Sequence, residues 1–295
     1  MINRYIITVC TFCLSLTYVQ AQDNTSVEND SITSVNKVTI NPWQQSSGEF
    51  LISPYVSHYV ATSFRNSDGQ KSNFANDGKY SNYNPRLFVA APLLSEKLNL
   101  TLSLPYFTNR YEDNNVSNFN GDLGDIEVGL RAHLGRLGSN YLMGSLITYI
   151  PGYENTQLPF AGYDLFGLEA RMILAGSIDF LGEYNNFHKV EFGVRYFFPR
   201  DPVQLRFLLS EGYRITNKLI ILGELEGIFS FSDNQEFFQT NLQSVAEYRF
   251  IKGSLNVGYD FSSKFSLYSG LFHDIYNRNS AIGRGFQVFA IIRTN

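Results

Sequence analysis

The chain has 295 residues, of which 17% are charged and 15% are aromatic. An ordinary soluble domain carries about 25% charged residues, and a mean hydropathy of -0.15 is too low for a bundle of membrane helices. The formal net charge of -4 argues against a nucleic-acid partner, since phosphate binding requires a basic stripe. Few charges with many aromatics are typical of strands whose two faces differ in polarity.

Residues 1–21 have the parts of a secretory signal peptide. Arg4 supplies the positive charge, residues 6–16 form the apolar run, and Val19-Gln20-Ala21 is a small-residue cleavage site. The run is shorter than the ~20 residues that a membrane-spanning helix needs. Cys10 and Cys13, the only cysteines, lie inside it. We therefore predict cleavage near Ala21 and a mature chain with no disulfide and no cysteine-based metal site.

The mature chain divides into a tail and a patterned region. Residues 22–47 are rich in Asn, Ser and Thr, which predicts a polar periplasmic tail without a fixed fold. From residue 48 to residue 295, apolar and polar residues alternate with a period of two, as strands do. In 122–134 one face carries Ile126, Val128, Leu130, Ala132 and Leu134, and the other carries Asp125, Glu127, Arg131 and His133.

The pattern predicts an all-β protein, a single antiparallel transmembrane β-barrel of about twelve strands with long outer loops and short periplasmic turns. Bulky apolar residues occupy one face of nearly every strand, which favours a membrane barrel over a soluble sandwich. An even number of strands keeps both barrel ends on the periplasmic side. The predicted strands are 49–60, 83–93, 97–108, 122–134, 140–150, 164–177, 187–197, 203–213, 218–231, 251–261, 265–275 and 285–294.

Two features of the barrel follow from this assignment. Residues 239–250 could form a thirteenth strand, but that would leave the C-terminus on the wrong side, so we assign them to an outer loop. Aromatic residues at the strand ends predict girdles at the two membrane interfaces. The outer girdle would contain Tyr106, Phe107, Tyr149, Phe197, Phe198, Phe229, Phe231 and Tyr276, and the inner one Tyr141, Tyr213, Phe261 and Phe265.

Three segments resemble one family of outer-membrane proteins. They are the Trp43-Gln44 entry before the first strand, the Gly-Asp-hydrophobic pattern from Gly121 to Arg131, and the Asn277-Arg278-Asn279 turn before the closing strand. The family is named for the MetA pathway of phenol degradation and is similar to FadL-type channels. The resemblance spans residues 42–293 and implies a channel for small molecules, hydrophobic or aromatic ones among them. The family offers no catalytic residues to transfer.

The charged residues of the strands are predicted to face the lumen. Because isolated charges are costly to desolvate, we expect them to pair across strands. Glu127 and Arg131 should then belong to the same cluster as the charges of the following strands. The cluster could be a structural network that fills the lumen, or a polar constriction that a solute must pass. Its members are Glu127, Arg131, Glu169, Arg171, Lys189, Glu191, Arg195, Arg206, Glu224 and Glu226.

An enzyme and an adhesive barrel are the alternatives to a passive channel. Some outer-membrane barrels are lipid hydrolases with a His-x-Ser pair, but His58, His133 and His273 have no serine at that spacing. The four histidines also lack metal-ligand spacing. Loops rich in Asn, Ser and Gly could bind a partner, although nothing in them specifies a ligand.

The predicted partners follow from this assignment. We expect a non-enzymatic monomer without a cofactor, in contact with outer-membrane lipid and with an unknown small solute. Its location is the outer membrane of a Gram-negative bacterium, reached through the barrel-assembly machinery. The chain ends in Ile292-Arg293-Thr294-Asn295 rather than in the usual aromatic residue, although Phe289 is near.

Overall fold

The computed structural model describes residues 45, 48–95, 97–178, 186–199 and 201–294. The predicted signal peptide at 1–21 and the predicted tail at 22–47, apart from Gln45, lie outside the described residues and stay predictions. The strands of the described part are β1 Leu51–Arg65, β2 Lys71–Asn73, β3 Lys79–Ser95, β4 Leu98–Glu112, β5 Ser117–Leu123, β6 Asp125–Leu137, β7 Asn140–Pro151, β8 Gly167–Ile178, β9 Asn186–Phe197, β10 Val203–Arg214, β11 Leu219–Phe231, β12 Tyr248–Ser262, β13 Phe265–Arg278 and β14 Ser280–Arg293.

The strands form one antiparallel sheet that closes on itself, because β14 pairs with β1 as well as with β13. The short strand β2 pairs only with the outer end of β1, and β5 continues the line of β6 beside β4. The wall of the barrel therefore has twelve strands, and the predicted fold class is confirmed. Closure leaves no free edge in the wall, as lipid requires, since lipid cannot hydrogen-bond to backbone groups.

Alternation sorts the side chains between lipid and lumen. In β6, Val128 and Leu130 are 37% and 42% exposed on the outside. Glu127 and Arg131, which are the sequence neighbours of Val128 and Leu130 and so point to the opposite face, line the interior. No described residue belongs to a helix that is long and apolar enough to cross a bilayer.

The longest connections of the described part are at one end of the barrel, and two-residue turns are at the other. Two residues join β6 to β7 and β12 to β13, whereas residues 152–166 and 232–247 form the long loops. Barrels of this type place long loops outside the cell and short turns in the periplasm, so we call the long-loop end the outer end. Both ends of the wall, at Leu51 and Arg293, lie together at the short-turn end.

The predicted outer loop at 276–284 is wrong, and the one at 109–121 is also largely strand, from β4 and β5. Residues 276–284 were expected to form an outer loop, yet β13 and β14 extend into it and only Asn279 separates them. Asn279 has a φ of 48°, a left-handed conformation that Asn adopts more readily than most residues. The side-chain amide of Asn277 also donates a hydrogen bond to the Ala281 carbonyl, which stabilises the tight turn.

The predicted outer girdle needs correction at three positions. Tyr149 and Phe197 are each 1% exposed and point inward, and Phe107 also lines the interior. The cause is the period of two, because Phe197 shares a face with Glu191 and Arg195. Other predicted girdle residues, including Tyr106, Phe198, Phe231 and Tyr276, are exposed on the outside at 42%, 41%, 39% and 43%.

Candidate functional site: the barrel lumen

The lumen contains a cavity of about 750 Å³ that is lined by inward-facing side chains from most strands of the barrel wall. Its lining is mixed. One wall, from β6 and β8 to β12, carries most of the charged groups, and we call it the charged wall. The opposite wall, from β14, β1, β3 and β4, is lined mainly by hydroxyl, amide and aromatic groups.

Glu169 of β8 is at the centre of the charged wall. Its carboxylate accepts hydrogen bonds from Arg171 Nε at 2.6 Å, Arg195 Nε at 3.0 Å and Arg206 Nη1 at 3.1 Å. The Tyr149 hydroxyl donates a fourth, at 2.8 Å. The Glu169 side chain is fully buried, so its charge is balanced by protein groups alone.

The network extends from Glu169 along neighbouring strands. Arg171 also donates to Glu191 at 2.9 Å, and Glu191 contacts Lys189 Nζ at 2.8 Å. In the other direction Arg206 approaches Glu226 at 3.7 Å, and Glu226 contacts Lys252 Nζ at 2.7 Å. Charges of alternating sign therefore form a chain across five consecutive strands, β8 to β12.

The ten charges predicted to line the lumen all belong to inward-facing positions, but they do not all join this chain. Glu127 and Arg131 of β6 line the cavity, and within the described residues neither forms an ion pair. The reason is β7, which lies between β6 and β8 and presents Ser145, Ile147 and Tyr149 inward rather than charges. Glu224 accepts hydrogen bonds from the hydroxyls of Ser210 and Ser254 instead of a cation.

Sequence reasoning missed one member of the network. Lys252 lies at the start of the predicted strand 251–261, on the same face as Ser254, and the alternation already placed it inward.

The opposite wall contains a second network of uncharged groups. Tyr80 donates to the Asn109 amide oxygen at 2.9 Å, and Tyr55 donates to Gln287 at 3.1 Å. Gln287 in turn donates to the Asn256 amide oxygen at 2.8 Å. Arg86 projects from this wall with more than a third of its surface exposed, and its guanidinium lies 4.7 Å from the centre of the Tyr55 ring.

Residues 232–247, which we call the crossing loop, extend over the outer mouth. The loop joins β11 to β12, yet Gln239 donates to the Tyr111 hydroxyl of β4 at 3.0 Å and Gln243 to the Tyr80 hydroxyl of β3 at 3.1 Å. In the closed order of the wall, β4 is almost opposite β11. Phe237 and Leu242 of the loop pack on an inward-facing cluster of Ala61, Phe74, Tyr80, Tyr111 and Ala281.

A second outer loop, residues 152–166, holds the crossing loop from the other side. The Asn241 side chain accepts a hydrogen bond from the Phe160 backbone at 2.7 Å, and Tyr163 donates to the Val245 carbonyl at 2.9 Å. Burial raises the pKa of the Tyr163 hydroxyl, which therefore stays a donor at neutral pH. The two loops together cover the cavity at its outer end.

Apolar side chains narrow the lumen towards the periplasmic end. Met143, Ile173 and Ala175 form one buried cluster there. Ile220, Leu222 and Tyr268 form another, with Phe289 and Ile291 packed against it. The charged cavity thus lies between the crossing loop and an apolar inner layer.

The histidines are spread over both faces of the wall. His133 points into the lumen near the inner end, while His58 and His273 are on the lipid-facing side. Throughout the described part of the chain, no three His, Asp, Glu or Cys side chains are close enough together to hold a metal ion.

No protein-family model matches the sequence, and no curated protein matches it either. Membership of the family that the sequence resembles therefore stays a prediction. Structural similarity is clear, however. An outer-membrane channel from Pseudomonas putida F1 aligns with a TM-score of 0.64 at 13% identity, over 91% of this chain and 100% of that one.

Two further structures show the range of the similarity. The transport unit of the autotransporter AIDA-I from Escherichia coli aligns with a TM-score of 0.50 at 8% identity, over 90% of this chain and 94% of that one. The monoaromatic hydrocarbon channel TodX, as a mutant, aligns with a TM-score of only 0.44 at 9% identity, over 89% of this chain and 94% of that one. The fold is that of outer-membrane β-barrels.

Proposed function

We propose that this protein is an outer-membrane channel that binds and passes small solutes carrying polar groups. The observation behind the proposal is the central cavity of about 750 Å³, which has charged residues on one wall and hydroxyl and amide groups on the other. The channel of Pseudomonas putida F1, which shares the fold, is consistent with it.

The lining favours solutes with hydrogen-bonding groups over purely apolar ones. An apolar molecule in the cavity would displace water from Arg86 and from the charged wall without offering a replacement, which is costly. Tyr55, Phe107 and Phe272 also line the cavity and provide surfaces for the apolar part of an amphipathic solute. Aromatic solutes with a polar substituent would fit this lining. Aromatic solutes are among those that the sequence resemblance implies.

A structural barrel is the second candidate, because the buried Glu169 network and the crossing loop both fill the lumen. The two functions differ in one measurable property. A channel conducts ions or solutes when reconstituted, whereas a filled barrel does not.

Conductance of the refolded protein in planar bilayers tests the proposal. Arg86 is the residue to change, because it is exposed inside the lumen. We expect small conductance steps for the unchanged protein and, for Arg86→Glu, a reversal potential shifted towards cation selectivity. Arg110→Glu, at an exposed outer position of β4, is the control and leaves the reversal potential unchanged. Absence of conductance, or equal reversal potentials for both variants, would favour the structural barrel.

A further inference from the structure

The outer surface of the barrel carries basic residues at a place where membrane lipid is expected. Arg284 of β14 and His273 of β13 are exposed and stand directly opposite each other in register. His58 of β1 is diagonal to Arg284, since His58 pairs with Phe286 and Val60 pairs with Arg284. Diagonal neighbours on a sheet face are about 7–8 Å apart, within reach of an arginine side chain.

This basic patch lies close to the outer end of the barrel. The register row of Arg284 continues through Val60 to Ser81, the third residue of β3 from its outer end. The row of His58 continues to Tyr83, an exposed aromatic residue of the kind found at membrane interfaces. Lipid headgroups are located at this depth.

An apolar groove begins at the basic patch and continues down the lipid-facing wall towards β10. Gly223 and Gly253 form its floor, because they leave gaps where neighbouring strands carry Leu225 and Leu255. Phe286 and Leu271 are on its sides. A groove of this composition suits acyl chains rather than a water-soluble ligand.

Arg284 is the least balanced charge of the patch, because Asp274, the acidic neighbour of His273, is buried on the inner face of β13 and bonds to Tyr59 and to the Gly283 backbone. No ion pair to Arg284 occurs within the described part of the chain, and Glu211, the acidic residue of this outer face, is at the far end of the groove beside His188. A charge on the lipid side of a barrel is costly at the bilayer midplane but is tolerated near the interfaces, where lipid headgroups can pair with it. The phosphate of a lipid headgroup would be that partner, with its acyl chains in the groove.

We propose that Arg284, His273 and His58 bind the phosphate group of an anionic membrane lipid whose acyl chains occupy the groove over Gly223 and Gly253. The site is on the outside of the wall and is independent of solute passage through the lumen. Loss of lipid binding at this site therefore leaves conductance unchanged.

Native mass spectrometry of the full refolded chain in detergent tests this site. Dioleoyl phosphatidic acid serves as the anionic probe and dioleoyl phosphatidylcholine as the zwitterionic one. We expect the unchanged protein to bind one phosphatidic acid tightly. Arg284→Gln should bind it about tenfold more weakly, because a charge-assisted hydrogen bond is lost. Arg284→Lys should restore the binding. Arg110→Gln, which removes an arginine of the outer face away from the groove, should bind as the unchanged protein does.

A second variant examines the groove separately. Gly223→Leu fills the floor of the groove, where an added Cβ has no other atom within 4 Å, and should weaken lipid binding while the basic patch stays intact. Equal binding by Arg284→Gln and Arg110→Gln would overturn the proposal. Equal binding of phosphatidylcholine, or displacement of the lipid by inorganic phosphate at similar concentration, would also overturn it.

Discussion

Glu169 balances more positive charge than any neighbouring carboxylate of the charged wall. Three arginines and a tyrosine donate to it, and its side chain has no contact with solvent. Arg195 is also held 3.6 Å from the centre of the Tyr149 ring, which fixes its position beside Glu169. Among the described residues, loss of the carboxylate charge would leave Arg195 without an ion-pair partner and would leave Arg171 and Arg206 with one carboxylate each.

We predict that Glu169→Gln lowers the free energy of unfolding by about 3–5 kcal/mol, as expected when one partner of a buried ion pair is removed. Glu224→Gln is the matched control, since its partners are serine hydroxyls, and should cost ~1 kcal/mol or less. Urea unfolding in lipid vesicles, followed by far-ultraviolet circular dichroism of the β-sheet, measures both values. Similar losses for the two variants would mean that water screens the Glu169 network.

At the level of single elements, the crossing loop depends on contacts that are distant in sequence. Gln239 and Tyr111 are separated by 128 positions, and Gln243 and Tyr80 by 163. No local pattern in residues 232–247 indicates these partners, so the sequence predicted a loop there but not its path across the mouth. The tight turn at Asn279 depends instead on a local hydrogen bond from Asn277 to the Ala281 carbonyl, which the alternation of hydrophobicity does not indicate.

We predict that Gln239→Ala with Gln243→Ala releases the crossing loop and increases single-channel conductance. The double variant removes three hydrogen bonds, two to tyrosine hydroxyls of the opposite wall and one from the Ala75 backbone, each contributing about 1 kcal/mol. Gln235→Ala is the control, because only the backbone carbonyl of Gln235 bonds to Asn279. If conductance stays equal in all three proteins, the crossing loop does not limit passage.

For the whole molecule, the period of two was sufficient to predict the twelve strands and the face of nearly every charge. It works because neighbouring side chains must point to opposite sides of a sheet. Its failures lie at the outer end, where β1, β3 and β4 continue beyond their predicted ends through polar residues such as Asn82 and Asn109. There polar residues occur on both faces of the strands, so the alternation of hydrophobicity no longer marks them.

The lipid-facing assignment predicts a large difference between two arginine substitutions. Val128→Arg places a charge on the lipid side of β6 and should lower the free energy of unfolding by roughly 2–4 kcal/mol if it lies near mid-bilayer. Ser72→Arg, in the exposed strand β2, should have an effect near zero. Folding yield into lipid vesicles and urea unfolding compare the two, and equal behaviour would contradict the assigned faces.

The pairing of β1 with β14 also determines the order in which the protein can be made. Leu51 stands opposite Arg293, so the bonds that close the wall form only when the last strand has been synthesised and delivered. Contacts between such distant residues are slow to form, because a long loop must be closed first. Until then β1 carries an open edge that can pair with other chains. Protection of β1 during export is therefore a condition for efficient assembly, and a chain truncated before Ser280 should aggregate rather than insert.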